Sequence, residues 1–191
     1  MKEIILTISV SLYFISFIPY LVGMLKGTVR PRPLSWLGWA LLLGVALFSQ
    51  ILERGFDATM LISFSSAIIC TTIFILSMTR SHSKNESFDY ICLFLGIVCM
   101  IVYFTSKDAF VTTVFSIVSD LLVGIPTVLS VYKNPRAEDM LAWGMGTFAI
   151  SLSFVVAMLE SDYLLKLYPA YLFAFNALIF ILCLRRFKLP V

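Results

Sequence analysis

The chain has 191 residues, of which 60% are hydrophobic and only 13% charged, and its mean hydropathy is +0.98. A soluble domain is about half apolar and a quarter charged, and a globule of this size could not hide so much apolar surface. The net charge of +3 reads as a signal of membrane topology, so lipid is the expected partner and nucleic acid is not.

A helix needs about 20 mostly apolar residues to cross a hydrocarbon core of about 30 Å. Seven mostly apolar runs meet or approach that length, at 4–25, 34–52, 58–79, 90–106, 109–132, 140–159 and 163–184. The fourth is the shortest. The first follows Met-Lys-Glu, but it is longer than the apolar stretch of a secretory signal and lacks a small-residue exit, so it is expected to be a retained span. The connections are short, and the longest is the polar segment 80–87. With the N-terminus outside, ten of the fourteen basic residues fall on the cytoplasmic side, among them Arg30, Arg32, Lys133, Arg136 and Arg185. The chain should therefore be N-out and C-in.

Cys70, Cys92, Cys99 and Cys183 all lie inside apolar runs without paired-ligand spacing, which suits packing better than disulfides or metal. The single histidine, His82, excludes a multi-histidine metal site. No glycine-rich phosphate loop or H-E-x-x-H motif is present, and Asp120 has no second acid near its depth. No enzyme, metal or cofactor is expected. The last run has no central lysine, which argues against a retinal protein.

Displacing the chain against itself by 107 positions superposes Pro19 on Pro126, Lys26 on Lys133, Trp36 on Trp143 and Glu53 on Glu160. The offset maps runs one to three onto runs five to seven and leaves the fourth over. Three crossings end on the side opposite their start, so a second copy in the same orientation requires one connecting crossing. The expectation is an all-α membrane protein with seven transmembrane helices. Two parallel three-helix bundles, 1–80 and 108–187, would be joined by an inversion-linker helix, 88–106.

This pattern, with a proline in the first helix of each repeat, resembles the SWEET/PQ-loop superfamily over essentially the whole chain. The Pro-Gln dipeptides of that superfamily are here Pro19-Tyr20 and Pro126-Thr127. The prolines that SWEETs carry in the second helix of each repeat are here replaced by Pro31, Pro33 and Pro135 in the preceding loops. Asn176 matches the binding asparagine in the third helix of the second repeat; the partner position is Ile69, with Ser65, Ser66, Cys70 and Thr71 around it. The resemblance implies a site near the midplane between the repeats and leaves the substrate class open.

Asp120, about twelve residues from either end of its run, is the most informative residue, because a carboxyl at that depth is costly without water or a partner. It could bind a solute, carry a proton, or lock two helices together. Its repeat mate is Tyr13. Asn176, near the centre of the last run, reads equally as a ligand contact or as interhelical glue, and Ser66 completes the expected binding set. Pro19 and Pro126 each lie about 9 Å of helix beyond Tyr13 and Asp120 and should act as hinges, with Gly124 adding compliance in the second repeat. Trp36 and Trp143 follow basic loops, where an aromatic belt belongs, with a gate as the alternative.

These residues lead to the expectation of a small polar metabolite transporter, for a sugar or similar solute, that works by alternating access. Proton coupling through Asp120 is an open variant, and a homo-oligomer is compatible with it. The alternative is a non-transporting receptor or accessory protein on the same scaffold.

Overall fold

The computed structural model describes residues 2–55, 61–80, 85–159 and 161–187. Among them are seven α-helices: α1 (Lys2–Leu25), α2 (Pro33–Arg54), α3 (Leu61–Arg80), α4 (Ser87–Thr105), α5 (Ala109–Lys133), α6 (Met140–Met158) and α7 (Leu164–Leu184), with a final 3-10 turn Arg185–Phe187. Asp57, residues 58–60, His82, Lys84, Glu160 and Lys188 lie outside the described residues.

All helices but α3 are long and apolar enough to cross a bilayer, and the apolar stretch of α3 is the shorter Phe64–Thr79. The chain is an all-helical, multi-pass integral membrane protein. A helix suits that setting because it satisfies every backbone polar group within its own segment. Many hydroxyls are satisfied locally too: Thr7, Thr72 and Thr113 each donate to the carbonyl four residues back.

Residues 90–106 make the shortest run, and α4 extends it to 19 residues, still tied with α6 as the shortest α-helix among the described residues. The extension is at its start. Glu86 and Asp89 form a capping box, which draws Ser87, Phe88 and Asp89 into the helix ahead of the apolar run.

Two compact units divide the chain, one comprising Met1–Arg30 and Val128–Val191, the other Pro31–Thr127. In the first, α1 packs on α6 and α6 on α7. The buried stripe of α1 contains Ser9, Ser16 and Gly23, seven apart, with Tyr20 and Met24, while Ile4, Ile8, Ile15 and Ile18 point outward. Apolar outside and small or polar inside is the pattern expected where lipid replaces water. Ser9 Oγ donates to the Ala149 carbonyl at 2.6 Å and lies 2.5 Å from Ser153 Oγ, both on α6. After α1 the chain turns at Gly27, whose φ of 71° favours glycine. The Arg30 amide then donates to Ala137 O at 2.8 Å, tying this turn to the loop before α6.

In the second unit, α2 packs on α3 and α4. Pro33 opens α2, where its missing N–H costs nothing. Arg32, the residue before it, reaches Glu86 at 2.9 Å and Asp89 at 3.2 Å, clamping the start of α2 to that of α4. Val123 of α5 is wedged between two glycines. A Cβ on Gly38 would stand 2.5 Å from Val123 Cγ1, and one on Gly96 would stand 2.6 Å from the same atom.

Helix pairs related by the offset of 107 pack alike. The first helix of each sequence repeat packs on the second helix of the other: Ser16 of α1 flanks Gly146 of α6, and its offset mate Val123 meets Gly38 of α2. The element bounds keep the offset too. Moving α1 by 107 gives 109–132 against α5 at Ala109–Lys133, and moving α2 gives 140–161 against α6 at Met140–Met158.

Candidate functional site

Asp120 lies in the second unit, near the middle of α5, and is 6% exposed. The α3 residue Cys70 is close enough for the Asp120 charge to be felt at its thiol. Ser66, one turn earlier on α3, is also buried, so Asp120 and Ser66 belong to one region of one unit. Beside Asp120, Ser119 Oγ donates to Gly96 O of α4 at 2.9 Å. Thr127, seven residues on and thus on the same face of α5, is fully buried, as is Ser35 at the start of α2. Neither hydroxyl has a hydrogen-bond partner in good geometry among the described residues, which leaves polar groups available to water or a solute.

Tyr13 and Asn176 belong to the first unit. Asn176 is buried and donates to Leu172 O of its own helix at 2.9 Å. That bond uses one amide hydrogen and leaves the carbonyl, Oδ1, turned to the flank of Gly146, where Ser16 Oγ also lies: a Cβ on this glycine would be 3.7 Å from each. Ser16 in turn donates to Tyr13 O at 2.5 Å. The Tyr13 ring is half-buried and makes edge contacts with Phe14 and Phe17. The expected set is thus divided between the units, with Asp120 and Ser66 in the second and Tyr13 and Asn176 in the first.

Pro19 and Pro126 sit inside helices that continue past them, and Gly124 is buried between Val123 and the proline turn. Trp36 and Trp143 are both buried; Trp36 packs edge-on against Trp39 at 5.1 Å, and Trp143 turns inward to a carboxylate. An indole N–H removed from water needs an acceptor, and one is supplied by Glu138.

Glu138 is absent from the expected site. It stands in the loop before α6, only 2% exposed, and its Oε2 accepts the Trp143 Nε1–H at 2.9 Å. The buried Tyr20 hydroxyl of α1 stands by the same carboxyl and favours its charged form, as the indole does. Burial overrides both and pushes Glu138 up from the ordinary 4.5 to about 7, with Asp139 adding to the rise. The one signal in the sequence is Trp143, five residues after an acid.

No group of three or more potential metal ligands occurs among the described residues. No family model, curated protein or solved structure matches the chain.

Proposed function

We propose that the chain carries a small polar solute across its membrane by alternating access, with Asp120 as the principal solute contact. The observation that carries this reading is a buried carboxyl midway along an apolar helix, on the same face as the buried Thr127 hydroxyl, which meets no partner in good geometry among the described residues. Ionisable groups at that depth are expensive and are kept for binding or relay. Asp120 and Thr127 are the offset mates of Tyr13 and Tyr20, so the first helix of each repeat carries polar groups at the same two levels. The matched element bounds support the repeat, and the resemblance to the SWEET/PQ-loop superfamily supports a site between repeats while leaving the solute open. A 3+1+3 order of repeats, seven crossings and an N-out orientation belong to the same proposal.

Reconstitution into lipid vesicles tests it. Uptake of at least one sugar, amino acid or organic acid from a broad panel should exceed the leak of empty vesicles. Uptake at leak level throughout would favour the receptor or accessory role.

A further inference from the structure

Glu138 lies outside the spanning helices, yet it is as buried as a core residue. A carboxylate in such a position normally keeps a cation beside it. Among the described residues, none of the charges that act on Glu138 is basic. The groups facing it from each element are Tyr20 on α1, Asp139 and Trp143 at the start of α6, and Cys183 on α7, whose thiol feels the Glu138 charge. Arg186 acts on that thiol, while Lys133 at the end of α5 and Arg136 in the same loop are exposed. Glu138 Oε2 accepts the Trp143 indole, and Oε1 accepts no hydrogen bond in good geometry from any described residue. One oxygen is therefore held and the other is left as a site for a proton.

We propose that Glu138 is a reversible proton-binding site whose occupancy sets how firmly the loop before α6 is held between α1, α6 and α7. When the carboxyl is ionised, the Trp143 hydrogen bond is charge-assisted and strong, but a bare charge remains buried. When a proton binds at Oε1, that charge disappears, the indole bond weakens to a neutral one, and the new O–H becomes a donor beside Tyr20. The loop also receives the Arg30 amide through Ala137 O, so its hold on α6 is felt at the turn that leaves α1. Titration near neutrality brings this exchange into the range of ordinary cellular pH. The proposal does not depend on solute transport.

Infrared difference spectroscopy of the full chain in lipid nanodiscs, from about pH 5 to about pH 9, tests it. A deuterium-sensitive C=O stretch of a protonated carboxylic acid should fade with a midpoint close to neutral. It should be missing in Glu138→Gln and present in Asp120→Asn. A spectrum without a carboxyl titrating near neutrality, or one whose titrating band survives in Glu138→Gln, overturns the assignment. Trp143→Phe covers the case in which Glu138→Gln does not fold. It removes a hydrogen bond that favours the charged form, so the midpoint should move upward, and an unmoved midpoint contradicts the role given to the indole.

Discussion

The indole N–H of Trp143 donates to the Glu138 carboxylate at 2.9 Å, across the start of α6, with both residues buried. Because the folded chain raises this acid from 4.5 to about 7, it binds the proton more tightly folded than unfolded. The resulting stabilisation is fully present below the unfolded value and is lost as pH rises through the folded one. Stability should fall between about pH 4.5 and about pH 7 and level off above, by on the order of 3 kcal/mol at 1.4 kcal/mol per unit. Glu138→Gln should flatten that slope and melt higher than wild type on the alkaline side. Melting curves at a fixed scan rate read both; an unchanged slope in the variant would contradict the account.

Val123 fits between Gly38 and Gly96 with no room for a methyl group on either. Gly38→Ala should cost about 1–3 kcal/mol by overpacking, and Val123→Ala in the same chain should recover most of it. Gly44→Ala serves as the control, since nothing lies within 4 Å of a Cβ there, and a helical glycine replaced by alanine gains stability. The double-mutant cycle checks the wedge: additive losses would mean that Val123 and Gly38 do not meet.

Asp89 is a buried carboxylate whose cationic partner is Arg32, at 3.2 Å. Arg32→Gln should destabilise by about 3–5 kcal/mol, because it leaves that carboxylate uncompensated. Adding Asp89→Asn should return a large part of the loss. Thermal unfolding of the two single variants and the double variant measures this, and a double variant as unstable as the sum of the singles would argue against the pair.

Orientation has its own test. In an otherwise cysteine-free chain, Lys107→Cys should react with an impermeant thiol reagent applied from outside, and Asn134→Cys only after the membrane is opened. The reverse pattern would place the N-terminus inside.

Much of this architecture was legible in the apolar runs, because in hydrocarbon a long apolar segment has few options besides a helix. The offset of 107 anticipated the bounds of α5 and α6 to within a few residues. It did not say which helices would pack, since any grouping keeps the same spacing; that choice rests on small-residue contacts such as Ser9 with Ser153 and Val123 with Gly38. Asp120 was conspicuous as an acid among apolar neighbours. Glu138 was not, because Lys133, Arg136 and Asp139 make its loop read as solvated, and its burial comes from α1 and α7, far away in sequence. The acceptor of Trp143 was hidden for a related reason, since only the folded chain brings the Glu138 carboxyl to its indole.

The central claim is that Asp120 handles a polar solute inside the membrane. The most direct measurement is solute uptake into vesicles by wild type, Asp120→Asn and Thr71→Ala, the last altering an exposed hydroxyl that donates to Ala67 O of its own helix. The account predicts uptake above leak by wild type and Thr71→Ala, and a loss of tenfold or more in Asp120→Asn at equal folded amounts. Equal uptake by all three proteins, or uptake by none for any solute in the panel, would contradict it.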